Sequence, residues 1–151
     1  MTIRSFLFYV FPLLLWMLII FSWSTDFGSS QHTGSLIDRI FATVPVLREL
    51  PAHVIEGFKY SIRKTAHVSE YAILAVLASR AIRRGRTATT AKDIWMPVLL
   101  CFLYASTDEY HQSFVPSRFA SIYDVMYDTF GGIVGVGVSW ALSRARQRAG
   151  A

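Results

Sequence analysis

FLFYVFPLLLWMLIIFSW, residues 6–23, runs its whole length without one charge. A helix needs about 20 mainly apolar residues, rising about 1.5 Å each, to cross a bilayer. This stretch meets that requirement. Pro12 inside it kinks a span without preventing one. A cleaved signal peptide is the competing assignment. The apolar part is long for one, and bulky Trp23 stands where a small-residue cleavage site is wanted. Composition agrees with a membrane protein: 53% of the 151 residues are hydrophobic and the mean hydropathy is +0.39. A soluble helical bundle is the alternative, and the uncharged first segment disfavours it.

Three more segments have the length to span. Residues 64–82 are apolar from Tyr71 to Ala78 and polar at their start. Residues 94–113 run directly into an acidic cluster, and residues 121–142 carry their charges at the beginning. The chain is therefore expected to be a single all-α membrane domain over 1–151, with four transmembrane helices at about 6–23, 64–82, 94–113 and 121–142. Between the first two spans, Leu36, Ile37, Ile40, Phe41 and Val44 recur at helical spacing while Pro45 and Pro51 break the pattern. That predicts one or two short interfacial amphipathic helices. The terminal RARQRAGA reads as a frayed tail.

Basic residues assign the sides. Arg4, Arg80, Arg83, Arg84, Arg86, Lys92, Arg144, Arg146 and Arg148 fall on one side, with Asp93 the only acid there. The other nine acids share the opposite side with six basic residues. The positive-inside rule then puts both termini and the RAIRRGRTATTAK hairpin in the cytoplasm. The single cysteine, Cys101, forms no intrachain disulfide and sits in an apolar run as a small packing residue.

With that sidedness the unusual polar residues all reach the outer leaflet. Lys64, His67 and Tyr71 form one helical stripe, with Glu70 beside His67. Asp108, His111 and Gln112 form a second, with Glu109 toward its edge. Asp124 and Asp128 share a face with Gly131 and Gly135, and a Gly-x-x-x-Gly face lets two helix backbones approach closely. Carboxylates on that face need partners, and Lys64 and Arg118 are cations at the right depth. Each residue has a plainer role available. Lys64 can snorkel, His67 can bridge helices, Arg118 can be a solvated loop charge, and Tyr71, Tyr104 and above all Tyr110 can be interfacial aromatics. What the plainer roles leave unexplained is the sum, because each ionisable residue costs about 2.5–3.5 kcal/mol at mid-membrane and less toward the ends.

KTAHVSEYAIL followed by DEYHQSFVPSRFASIYDVMYDTFGGIVG resembles the VanZ-like family of small bacterial membrane proteins. The residues that carry the resemblance are Lys64, His67, Tyr71, Asp108, Glu109, Gln112, Phe114, Arg118, Asp124, Gly131 and Gly135. FSWS is similar to the family's serine-bearing segment, through Ser22 or Ser24. One departure is Asp128, where the family usually has Asn; an amide donates and accepts, whereas a carboxylate only accepts. The resemblance implies an integral protein of the bacterial inner membrane, related to proteins that lower susceptibility to teicoplanin. It does not supply a reaction.

Three classes of function fit these residues. In an enzyme, His67 with Asp108 or Glu109 is the catalytic acid–base set. Lys64, Tyr71, Gln112, Arg118 and Asp124 then hold the substrate, an anionic envelope lipid or peptidoglycan precursor. A binding protein keeps the same pocket without turnover, and a transporter uses the acids as a proton relay. A purely structural role, in which the cluster fastens the helices, is the alternative to all three. His67, Glu70, Asp108 and His111 include metal-ligand types, but no HExxH-type spacing accompanies them, so no metal and no cofactor is expected. The basic residues line the membrane edge, where anionic head groups attract them, so nucleic acid is not expected as a partner.

Overall fold

The computed structural model describes residues 2–25, 38–39, 42–44, 49–86, 90–116 and 120–149. They form four long helices: α1 (Ile3–Ser24), α2 (Ala52–Arg83), α3 (Lys92–Gln112) and α4 (Ile122–Ala149). By length and apolar composition, α1 and α4 each suffice to cross a membrane.

α1 is interrupted by a π-helical turn at Phe6–Val10, in which the Phe11 N–H reaches back to the Phe6 carbonyl. Pro12 has no N–H to offer the preceding turn, and the wider turn sits immediately before it. Most bulky residues of α1 are exposed, among them Leu7, Phe8, Leu14 and Leu18. Its inner face holds Ile20 against the core, with Leu13, Trp16 and Met17 packed beside it.

The sequence pattern ends an amphipathic segment at Pro51 and opens the second span at Lys64. In the structure α2 starts directly after Pro51 and runs unbroken for 32 residues. Proline is well tolerated at a helix start, where its missing N–H costs nothing, so Pro51 begins this helix and the segment up to Arg63 is the first part of α2 rather than a separate helix. Beyond the apolar part, the exposed end of α2 is tied by Lys59, whose ammonium lies 2.6 Å from Asp38 and 2.9 Å from Glu56. The hydrogen bond to Asp38, then that to Glu56, holds Lys59 above its ordinary value. The rest of the expected amphipathic stretch, including Leu36, Ile37, Ile40, Phe41 and Pro45, lies outside the described residues.

α2 turns into α3 through Arg84 in the left-handed conformation (φ 45°) and Gly85 (φ 84°). Arg84 caps the helix by donating its N–H to the Arg80 carbonyl, 3.0 Å away. A side chain on Gly85 would also press on the Tyr9 hydroxyl of α1. Ahead of α3, Thr90 donates both its N–H (2.7 Å) and its hydroxyl (2.9 Å) to Asp93 Oδ2. Burial alone would push the Asp93 carboxyl up. The Thr90 backbone and hydroxyl bonds, with the charges of Arg86 and Arg83, nevertheless hold it below the usual carboxylate range.

α2 and α4 approach more closely than side chains allow. A Cβ added at Gly131 would lie 2.3 Å from the Val68 carbonyl oxygen, and one at Gly135 2.2 Å from that of Ala72. Gly132 gives the same relief toward α3, where a Cβ would meet the Cys101 side chain at 2.8 Å. The expected glycine face is thus the contact face, and Cys101 is a fully buried packing residue. Tyr71, Leu74, Ala75, Ala105, Val125 and Val136 complete the core.

Candidate functional site

The helix register that seats Gly131 and Gly135 on α2 also fixes what lies one and two turns before them. Asp128 and Asp124 are carried onto the α2 side, opposite His67 and Lys64. The Lys64 ammonium forms a buried ion pair with Asp124 and lies over the rings of Tyr60 and Tyr127 at 5.1 and 5.2 Å. His67 Nδ1 lies 3.2 Å from Asp128 Oδ1, and Asp128 is fully buried. A charge that deep persists only with a partner, and the imidazole is the partner provided.

α3 contributes a second layer. The Gln112 amide donates to Asp108 Oδ2 at 2.9 Å, across one turn. Glu109 Oε2 accepts the Ser121 backbone N–H at 2.7 Å, just ahead of α4. Ser121 and Asp124 have the spacing of a self-contained cap. Here the acid on α3 supplies the cap, which leaves Asp124 for Lys64. From α1, the Ser24 hydroxyl lies beside Asp108 without reaching hydrogen-bond geometry. Ser22 is exposed and bonds the Leu18 carbonyl instead. Ser24 is therefore the serine at this site.

The sequence paired His67 with Asp108 or Glu109, and the structure gives it Asp128 as the contact. Asp128 was singled out as a departure from the family pattern and not counted as a site residue; its four-residue step from Asp124 on the glycine face was the signal. Lys64, His67, Asp108, Glu109, Gln112 and Asp124 do come together, and Tyr71 is fully buried beneath them rather than interfacial. Tyr110, by contrast, is 70% exposed, as an interfacial aromatic should be. His111 turns its ring onto Phe21 of α1, with centroids 4.7 Å apart. Arg118 lies outside the described residues, and Asp124 is taken by Lys64. Among the described residues no group of His, Cys, Asp and Glu side chains is arranged to hold a metal ion.

The cluster keeps polar atoms in reserve. Asp108 Oδ1, Glu109 Oε1, His111 Nδ1, Asp128 Oδ2, Tyr71 Oη and Ser24 Oγ are all buried without a hydrogen-bond partner among the described residues. A buried polar atom left unpaired costs about 1–3 kcal/mol, so six in one place is a substantial expense for a small membrane bundle. The family model for VanZ/LLP1 matches residues 6–143. No curated protein and no solved structure gives a significant match. The chain belongs to the VanZ/LLP1 family and is an all-α membrane protein.

Proposed function

We propose that this VanZ/LLP1 protein crosses the bacterial inner membrane four times, with both termini cytoplasmic. We further propose that the polar cluster is an acid–base site, at the outer leaflet, for a phosphate-bearing envelope lipid or wall precursor. Support for the topology comes from charge. The Arg80–Arg86 end of α2, the start of α3 and the end of α4 gather the basic residues, which favours the cytoplasmic side. Cysteines at Ser113 and at Ala91, both exposed, test it in a Cys101→Ser background. A membrane-impermeant maleimide on intact spheroplasts should label the first and spare the second; the reverse pattern overturns the sidedness.

The observation that carries the chemistry is the His67–Asp128 pair beside the unpaired oxygen of Asp108. With Nδ1–H donating to Asp128, the imidazole is fixed in one tautomer and Nε2 is left to take or give a proton. Gln112 steadies Asp108. Arg118, in the adjoining loop by sequence, would hold the phosphate through its planar fork. The test is turnover of undecaprenyl-type lipid phosphates by purified protein. Wild type should consume substrate, and His67→Gln should be slower by about 100-fold or more while still folded. A second reading rests on the Lys64–Asp124 pair, which joins α2 to α4 and would serve as a clasp. Activity of His67→Gln equal to wild type per folded molecule would favour the clasp. Any relevance to teicoplanin belongs to the family and is a proposal for this chain.

A further inference from the structure

We propose that the group entering the cluster between α2, α3 and α4 is a primary ammonium of the ligand, received by the free oxygens of Asp108, Asp128 and Glu109. This rests on reading the cluster as a ligand site and names the chemistry it selects.

The cluster is rich in acceptors and poor in donors. Four carboxylates, those of Asp108, Glu109, Asp124 and Asp128, face one ammonium and two imidazoles, those of His67 and His111, among the described residues. Lys64 is committed to Asp124 and His67 to Asp128. Gln112 and the Ser121 N–H satisfy one oxygen each of Asp108 and Glu109. What stays unpaired is one oxygen on each of three carboxylates, and Glu109 lies within electrostatic range of both Asp108 and Asp128.

Tyr71 points to the same place independently of the acids. Its side chain is fully buried, its hydroxyl has no partner, and it lies within electrostatic range of Asp128 and Asp108. A phosphate completes this layer of carboxylates poorly. It offers acceptors to acceptors and adds negative charge to a negative site. A primary ammonium offers three donors and one positive charge in a compact head, and an aromatic hydroxyl beside it adds an acceptor. The chain already accommodates such a group here, since Lys64 places its own ammonium between Asp124 and two tyrosine rings. The phosphate of the same ligand then lies outside the carboxylate layer.

The experiment is a headgroup titration of the full-length protein purified in detergent, read as a shift in melting temperature. The probes are phosphatidylethanolamine, phosphatidylcholine and phosphatidylglycerol of matched chains, with Nα-acetyl-lysine amide as a soluble amine. Phosphatidylethanolamine should stabilise saturably. Phosphatidylcholine, whose ammonium has no N–H, should not. Asp128→Asn, which keeps shape and His67 contact, should weaken the effect about tenfold or more. Stabilisation by the soluble amine, lost in the same variant, also supports the proposal and places the amine on a peptide rather than a lipid. Stabilisation by phosphatidylglycerol but not by either amine overturns the ammonium while leaving a ligand site standing. No head-group preference with any probe overturns both.

Discussion

The two ends of the α2–α4 pair bury charge in opposite ways. At the Arg83 end both buried charges, Arg83 and Asp93, are answered. Arg83 donates to the Ser139 hydroxyl at 2.6 Å and to that of Ser143. Asp93 takes Thr90 through one oxygen and Arg86, 2.9 Å away, through the other. At the Lys64 end two ion pairs form, yet six buried polar atoms remain without partners among the described residues. The lesson is that fastening two helices calls for closure, and among the described residues the Arg83 end falls short of it only at the Ser79 hydroxyl. An end left open at energetic cost is what the proposed ligand site requires.

The harshest way to break this comparison is to part the helices that both ends share. Gly135→Val drives a side chain into the Ala72 carbonyl and should abolish recovery of monodisperse protein in detergent. Gly137, which has open space around its α-carbon, is the control. Gly137→Ala should melt no lower than wild type, because alanine is favoured over glycine in a helix by about 1 kcal/mol.

Next in size is an unequal response to losing one cation at each end. Lys64→Met strands buried Asp124 and should cost about 3–5 kcal/mol, visible as a lower melting temperature. Adding Asp124→Leu should recover most of the loss, since an apolar pair often replaces a buried ion pair without penalty. Arg83→Met strands two hydroxyls and removes one of the charges that favour Asp93, which keeps Thr90 and Arg86, and should cost about 1–3 kcal/mol. Equal losses at the two ends would erase the distinction drawn between them.

The smallest effect sharpens the comparison through pH. The carboxyl of Asp93 is held below its ordinary value in the folded protein. Its contribution is therefore present above the unfolded value of about 3.9 and fades as pH falls through the lower folded value. Asp93→Asn should lower stability by about 1 kcal/mol at pH 7, the size of a lost cap. The gap in melting temperature between the two proteins should narrow as pH falls below about 3.9. A gap that did not narrow would show that Asp93 acts by shape alone.

Much of the bundle was legible because membrane helices write themselves in apolar runs, and Gly131 and Gly135 declared a close contact by spacing alone. The cluster was legible as a set because polar residues inside apolar segments are conspicuous. Which residue pairs with which was not. Periodicity places His67 and Asp108 on faces of their own helices, but the choice of Asp128 over Asp108 depends on the rotation of α4 against α2. That rotation is set by where glycine lets backbones touch. Pro51 misled for a related reason: a proline that ends one helix and one that begins the next look identical in sequence. Ser24 was visible only by resemblance, since a serine at the end of an apolar run carries no periodic signal.

The attachment of α1 has its own consequence. Two long side chains, one from α3 and one from α1 itself, peg it through backbone carbonyl bonds: the Tyr104 hydroxyl donates to the Met17 carbonyl at 2.6 Å, and the Trp16 indole to the Glu70 carbonyl of α2 at 2.9 Å. Greasy surfaces slide past one another at little cost, so such pegs act as a depth gauge for an otherwise smooth rod. A slip of one helical turn, about 5.4 Å, would pull both pegs and withdraw Ser24 from beside Asp108. The vertical position of a single hydroxyl is thus set by an indole and a phenol about two turns away.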